Sequence, residues 1–167
     1  HDVSLEEDIA QIEQTRKAVS DDAILGVDAN QGWRVAVIGD APMWDYERAL
    51  AFCKKAAELN FSWVEEPLAN DNYDDLAKLR AAVDVPISGG ELNNQGLPEF
   101  GVMIKRGCLD IYQPDAVLVG GITECWKIIE KVRATGLKYS PHTWTNGIGF
   151  AINLQLLAAS PFRKTAR

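Results

Sequence analysis

The chain has 167 residues, of which 47% are hydrophobic and 25% are charged, as in an ordinary folded domain. Its formal net charge of −7 argues against nucleic acid or an anionic membrane as a partner. No apolar run is long enough to cross a bilayer and no signal peptide is evident, so we expect a cytoplasmic protein. Three cysteines without zinc-type spacing, Cys53, Cys108 and Cys125, predict buried free thiols in a reducing compartment.

The first predicted element is a helix that begins at a capping box. Ser4 is the expected N-cap, with Glu7 three residues later. The helix is predicted to run to about residue 19, because apolar residues recur at helical spacing, namely Leu5, Ile9, Ile12 and Val19. A short apolar strand over residues 24–28 follows.

The rest of the chain alternates helix and strand. The predicted helices cover about 43–59, 72–83, 95–106, 123–134 and 148–159. The predicted strands between them cover 61–65, 85–91, 109–115 and 137–142. We expect the second helix to bury Leu50, Cys53, Ala57 and their neighbours, and the third to bury Leu76, Leu79 and Val83. We see no linker or internal domain boundary.

An ionisable residue ends each predicted strand, at intervals of 24 to 37 residues: Asp28, Glu65, Glu91, Asp115 and His142. Strict alternation of strand and helix implies parallel strands with right-handed crossovers. An open doubly wound sheet concentrates its functional groups at one switch point. A (β/α)8 barrel instead brings every strand end to one mouth, so we favour an α/β fold of the TIM-barrel type, here an incomplete barrel of about five strands and six helices.

Three of these strand-end residues are carboxylates on consecutive strands: Asp28, Glu65 and Glu91. In a barrel they would lie close together, and two unit charges 4 Å apart repel by ~4 kcal/mol at an effective dielectric near 20. Either some are protonated or a divalent cation is bound. Oxygen ligands favour Mg²⁺, with Mn²⁺ or Ca²⁺ as alternatives. Each acid taken singly is equally compatible with a loop residue or a helix N-cap.

The other two strand-end residues form a candidate acid–base pair. His142 ends the strand that follows the one ending in Asp115, and a carboxylate beside an imidazole fixes its tautomer and raises its basicity. The pair would act as general base or acid near neutral pH. The alternatives are a structural histidine and an aspartate that caps the next turn. A cation facing such a base suggests α-proton abstraction from a carboxylate substrate through a stabilised enediolate.

These motifs resemble the enolase superfamily, and in particular its mandelate racemase-like (mandelate racemase/muconate lactonizing enzyme) subgroup. The resemblance covers essentially the whole chain and rests on Val27-Asp28-Ala29-Asn30-Gln31, Val64-Glu65-Glu66-Pro67, Gly90-Glu91, Gln113-Pro114-Asp115-Ala116 with Gly120-Gly121, and Ser140-Pro141-His142. It implies Mg²⁺ ligation by Asp28, Glu65 and Glu91, with Glu65 rather than Glu66 as the ligand. It implies His142 as base or acid and Asp115 as its partner.

Family members act on small carboxylates, many of them sugar acids, as dehydratases, racemases or epimerases. The resemblance therefore implies an enzyme, and we expect dehydration of a sugar acid or hydroxy acid. The alternatives are a racemase or epimerase, and a non-catalytic barrel fragment that only binds a cation. Asn30 and Trp144 are predicted to contact the substrate, and we expect a homo-oligomer.

Several parts of the family pattern are not found between residues 1 and 167. They are the N-terminal capping domain, the first barrel strand with its Lys-x-Lys motif, and the last strand with its acidic residue. We therefore expect residues 1–167 to be a partial C-terminal barrel domain that is inactive in isolation. A nucleotide-binding α/β domain is the remaining alternative, suggested only by Gly147-Ile148-Gly149, which lacks the third glycine of a dinucleotide fingerprint.

Overall fold

The computed structural model describes residues 4–33 and 43–160. Helices and strands alternate throughout these ranges, as predicted. The helices are α1 (Leu5–Ala18), α2 (Tyr46–Glu58), α3 (Tyr73–Ala82), α4 (Leu97–Arg106), α5 (Ile122–Ala134) and α6 (Gly147–Ala159). The strands are β1 (Gly26–Asp28), β2 (Trp63–Glu65), β3 (Ile87–Gly89), β4 (Ile111–Tyr112) and β5 (Lys138–Tyr139). Each strand is shorter than its predicted segment.

The chain divides into two compact units, His1–Ile87 and Ser88–Arg167. In the first unit, β1 and β2 pair in parallel, and the Val64 N–H donates to the carbonyl of Pro86, just ahead of β3. In the second unit, β3 pairs in parallel with β4 and β4 with β5.

The strand order is β1-β2-β3-β4-β5, so neighbouring strands follow one another in sequence. A doubly wound sheet reverses its order at a switch point, whereas a barrel adds each new strand to the same side. The sequential order of parallel strands therefore confirms the barrel-type winding that the sequence predicts.

Local capping signals fix several helix ends. The reciprocal capping box between Ser4 and Glu7 is present, and Asn146 caps α6 through two backbone N–H groups. Helix α2 begins at Tyr46, about three residues later than predicted. The reason is that the Asp45 carboxylate accepts a hydrogen bond from the Arg48 N–H at 2.9 Å, which sets the first turn.

Two predicted buried faces are confirmed in part. Helix α2 buries Cys53 as expected, but its other buried residues are Ala49, Phe52 and Ala56, whereas Leu50 and Ala57 are half-buried. The sequence is apolar on much of this helix, so composition alone does not locate its inner face. Helix α3 buries Leu76 and Leu79 as predicted, while Val83 is its half-buried C-cap.

Helix α1 is held by a buried arginine rather than by a long apolar stripe. Val19 is the C-cap of α1 and is 41% exposed, and the helix ends close to the predicted residue. Arg16 Nε donates to the Leu59 carbonyl, and its Nη2 atom donates to the Asn60 carbonyl, both at 2.9 Å. The same guanidinium also donates to two carbonyls of the α1–β1 loop, those of Ser20 and Ala23. One side chain thus joins α1 to the end of α2.

The three cysteines are free and buried, as predicted. Burial raises the pKa of the Cys53 thiol to about 12 and that of Cys125 to about 11. Both thiols are therefore uncharged near neutral pH, which suits packing rather than reactivity.

Within residues 4–33 and 43–160, every helix is too short or too polar to cross a membrane.

Candidate active site

In the first unit, Asp28 and Glu65 end two paired strands in matching register. Neighbouring strands lie ~4.8 Å apart, so the two residues share one edge of the sheet. The Ala29 N–H donates to the Glu65 carbonyl at 2.9 Å and continues the ladder past Asp28. Asn30 then turns the chain with a φ of 52°, and its N–H donates to Asp28 Oδ1 at 2.8 Å.

Glu65 and Glu66 have different surroundings although they are adjacent. Glu66 has a φ of 46° and is buried. Its Oε1 atom accepts a hydrogen bond from Asn70 Nδ2 at 3.0 Å, and its carbonyl accepts one from the Gln31 N–H at 2.8 Å. Glu66 therefore anchors the loop after β1. Glu65 stays half-buried at the strand end opposite Asp28.

In the second unit, an imidazole lies between two carboxylates. His142 Nδ1 is 3.1 Å from Asp115 Oδ2, and His142 Nε2 is 3.2 Å from Glu91 Oε2. The Asp115 side chain is fully buried, and the side chains of His142 and Glu91 are 14% and 11% exposed. These residues follow β4, β5 and β3 respectively. The contact between Asp115 and His142 that the sequence predicts is present, and Glu91 is an additional neighbour of the ring.

The Asp115 carboxylate both caps a turn and orients the histidine. Its Oδ1 atom accepts hydrogen bonds at 2.9 Å from the Val117 N–H and from Asn153 Nδ2, while Oδ2 faces His142 Nδ1. An ionised carboxylate can only accept hydrogen bonds, and both ring nitrogens face one. We assign the hydrogen of the neutral imidazole to Nδ1, because Asp115 is fully buried whereas Glu91 is partly exposed. Nε2 is then the nitrogen that can take up or release a proton.

Sequence reasoning missed Asn153 as a member of this group. Asn153 lies on α6 and is 1% exposed. Its side-chain carbonyl accepts a hydrogen bond from the Ala116 N–H at 3.1 Å, and its amide group donates to Asp115. The available signal was a polar residue in a largely apolar helix, where a buried amide needs partners.

The two predicted substrate-binding residues are exposed. Trp144 is 87% exposed, and Asn30 is exposed at the turn after β1. Their roles remain predictions.

The part of the chain that the structure describes contains no group of three or more His, Cys, Asp or Glu side chains arranged to hold a metal ion. Mg²⁺ is commonly held through one or two carboxylates, with water or substrate completing its shell. The paired strand ends at Asp28 and Glu65 supply oxygen donors of that kind. Their chemistry therefore fits Mg²⁺.

Comparison with known proteins places this arrangement in a family. The model of the family described as enolase C-terminal domain-like matches residues 1–167. L-talarate/galactarate dehydratase of Salmonella typhimurium is 35% identical over 93% of this chain. D-galactarolactone cycloisomerase of Agrobacterium fabrum is 32% identical over 93% of it. The matched relatives also include a racemase.

Solved structures share the fold. The 3,6-anhydro-D-galactonate cycloisomerase of Zobellia galactanivorans superimposes with a TM-score of 0.84 at 31% identity, covering 95% of this chain and 42% of that one. A structure of L-talarate/galactarate dehydratase that holds Mg and L-glucarate superimposes with a TM-score of 0.78, covering 93% of this chain.

The chain spans only 35% of the length of the L-talarate/galactarate dehydratase and 38% of that of the D-galactarolactone cycloisomerase. The match nevertheless extends over all of residues 1–167. The chain therefore belongs to the enolase C-terminal domain-like family, within the mandelate racemase-like part of the enolase superfamily.

Proposed function

We propose that the full-length protein containing this chain is an Mg²⁺-dependent enzyme that removes the α-proton of a sugar acid and eliminates water from it. The observation that carries this proposal is the placement of His142. Its Nδ1 atom lies 3.1 Å from a fully buried carboxylate, and its Nε2 atom lies at the side of the ring that faces Glu91. A histidine held in one tautomer at a strand end is equipped for proton transfer.

His142 serves this reaction as a general acid or base through Nε2. Asp115 holds the hydrogen on Nδ1 and stabilises the imidazolium that forms when Nε2 takes up a proton. In a dehydration, the protonated ring gives its proton to the departing hydroxyl group, which leaves as water. In a racemisation, the same ring would return a proton to the α-carbon.

We assign Mg²⁺ ligation to Asp28, Glu65 and Glu91. The first two are supported by their matching register at the strand ends, and the third by its place in the family motif, since it directly follows Gly90 after β3. When bound, the cation would polarise the substrate carboxylate and stabilise the charge that develops on it. The three carboxylates would orient the substrate by holding that cation.

The relatives suggest a polyhydroxylated acid as the substrate. The names of two of them, at 35% and 32% identity, describe dehydratases of talarate or galactarate and of arabinonate. A lactone cycloisomerase is the second candidate, because D-galactarolactone cycloisomerase is 32% identical to this chain. Both reactions begin with removal of a proton next to a carbonyl group.

The test uses the full-length protein, Mg²⁺ and a panel of aldonic acids, aldaric acids and their lactones in deuterated water. Dehydration of an acid and β-elimination that opens a lactone both give a 2-keto-3-deoxy acid, which is detected as its semicarbazone, so the two reactions are distinguished by whether the free acid or the lactone is consumed. We expect a dehydrated product from at least one acid, and its loss in the presence of EDTA. Mg²⁺ binding without turnover or deuterium incorporation on any compound would instead support a protein that only binds the cation.

A further inference from the structure

Among the residues that the structure describes, Asn153 is the only one of α6 whose side chain forms a hydrogen bond with the Asp115 carboxylate. Its Nδ2 atom donates to Asp115 Oδ1 at 2.9 Å over a separation of 38 residues. Both side chains are buried, at 1% and 0% exposure. In such surroundings a hydrogen bond to a charged group is strong and depends closely on geometry.

The amide of Asn153 has only one orientation that satisfies its surroundings. Its Oδ1 atom accepts a hydrogen bond from the Ala116 N–H at 3.1 Å. Rotation of the amide by half a turn would bring its NH₂ group against this N–H and its oxygen against the carboxylate of Asp115. Donor would face donor and acceptor would face acceptor, so the backbone of Ala116 fixes Asn153 as a donor to Asp115.

A glycine one helical turn earlier lets α6 approach this region closely. Gly149 lies on the same face of α6 as Asn153, because residues four apart share a face. A Cβ atom at Gly149 would come within 2.9 Å of a methyl group of Val117 and would overlap Thr145. The absent side chain therefore permits the close packing of α6 against the turn that contains Asp115.

We propose that Asn153 is a positioning residue that fixes the Asp115 carboxylate for His142. Asp115 Oδ1 receives two donors, the Val117 N–H and Asn153 Nδ2, which leaves Oδ2 for the imidazole. The hydrogen bond from Asn153, a residue of α6, thereby fixes the orientation of the Asp115 carboxylate. That orientation in turn favours the tautomer of His142 that carries its hydrogen on Nδ1. This inference rests on the proposed function for its catalytic consequence, although the tautomer itself can be observed without turnover.

The test compares Asn153→Asp with the unaltered full-length protein. Aspartate has the same shape and still accepts from the Ala116 N–H, but it places an oxygen where the donor to Asp115 had been. We expect kcat to fall by about 10- to 100-fold, as for other partners of catalytic groups, with KM changed by less than about threefold. In protein labelled with ¹⁵N-histidine, the spectrum of His142 should lose the pattern of a single Nδ1–H tautomer.

Two further variants separate positioning from folding. Asn153→Ala leaves room for water and should give the same two changes to a smaller degree. Leu156→Ala removes a buried side chain from the same helix and should lower thermal stability while kcat and the His142 spectrum stay as in the unaltered protein. The variant His142→Gln identifies the imidazole resonances of His142, because these resonances are absent from its spectrum.

The proposal is overturned if Asn153→Asp and Asn153→Ala fold and retain the unaltered kcat and tautomer. It is also overturned if neither folds while Leu156→Ala does, because Asn153 would then serve stability alone. A tautomer change in a protein that turns over none of the acids tested would support the positioning role and count against the proposed reaction. The two failures are thus distinguishable.

Discussion

His142 Nε2 lies 3.2 Å from Glu91 Oε2, so the nitrogen proposed to transfer a proton is in contact with a carboxylate proposed to bind Mg²⁺. A carboxylate that ligates a cation has less negative charge to offer an imidazole. Metal binding by Glu91 and pairing of Glu91 with His142 are therefore competing uses of one side chain. In contrast, Asp115 is buried and held by other donors, and its contact with the ring does not depend on a cation.

Replacement of His142 by Gln removes the proposed proton carrier while keeping a polar side chain. We expect kcat for dehydration to fall by about 100- to 10,000-fold, the usual contribution of general acid–base catalysis. Mg²⁺ affinity should not fall, since no assigned ligand is altered. Steady-state kinetics and a calorimetric Mg²⁺ titration measure the two quantities, and near-normal turnover by this variant would remove His142 from the mechanism.

The adjacent acids Glu65 and Glu66 provide a matched pair for the metal assignment. Glu65→Gln should abolish Mg²⁺ binding and turnover, because it removes an anionic ligand at the strand end opposite Asp28. Glu66→Gln should leave the Mg²⁺ titration unchanged, because Glu66 is buried against the loop after β1 and its Oε1 accepts from Asn70. Titration of both variants by calorimetry decides the assignment, and the reverse result would transfer the ligand role to Glu66.

The sequence predicts much of this arrangement because strand ends are marked locally. Short apolar segments that close on Asp28, Glu65, Asp115 or His142 indicate where functional groups lie, and parallel winding brings consecutive ends to one edge. The contact between Asp115 and His142 follows from that rule alone.

The role of Asn153 could not be predicted in the same way. Its partner Asp115 is 38 residues away, and α6 is apolar around most of its circumference, so no periodic pattern marks which residue faces inward. For the same reason, the sequence located the buried face of α2 only in part. Likewise, the sequence alone suggests that Arg16 is a surface charge near a helix end. Only the folded structure brings the carbonyls of Leu59 and Asn60 within hydrogen-bond distance of it.

Arg16 should be among the most sensitive positions for stability in the first unit. Its guanidinium donates to four backbone carbonyls, a geometry that lysine cannot reproduce. We expect both Arg16→Lys and Arg16→Met to lower the free energy of unfolding by about 2–4 kcal/mol. Arg133→Met is the control, because Arg133 is 54% exposed and pairs with Glu130 at the surface, and it should cost less than about 1 kcal/mol. Urea denaturation measures all three, and equal effects at the two sites would contradict the prediction.

Two glycines within helices should respond to alanine in opposite directions. At Gly101 of α4 an added Cβ meets nothing within 4 Å, so Gly101→Ala should raise the free energy of unfolding by about 0.5–1 kcal/mol through helix propensity. At Gly149 of α6 the added Cβ would meet Val117 and Thr145. The cost of overpacking there, about 1–3 kcal/mol, should exceed the gain in helix propensity, so Gly149→Ala should lower the free energy of unfolding. Thermal unfolding checks both signs, and a stabilising Gly149→Ala would show that α6 does not need this close approach.

The buried thiols should make the fold less stable at high pH. Burial raises the pKa of Cys53 to about 12 and that of Cys125 to about 11, from 9.0. Below pH ~9 both states keep the protons, so the thiols add no pH dependence. Above it the unfolded chain releases protons that the folded chain retains, and the free energy of unfolding falls as pH rises towards the folded-state values.

The double variant Cys53→Ala, Cys125→Ala isolates this contribution. Urea denaturation midpoints measured from about pH 8 to pH 11 should fall less steeply for the variant than for the unaltered protein. Tyr139, whose hydroxyl lies 4.0 Å from Cys125 Sγ, also has its pKa raised by burial, so part of the slope should persist. Parallel pH profiles for the two proteins would mean that the thiols ionise equally in both states, which is incompatible with their complete burial.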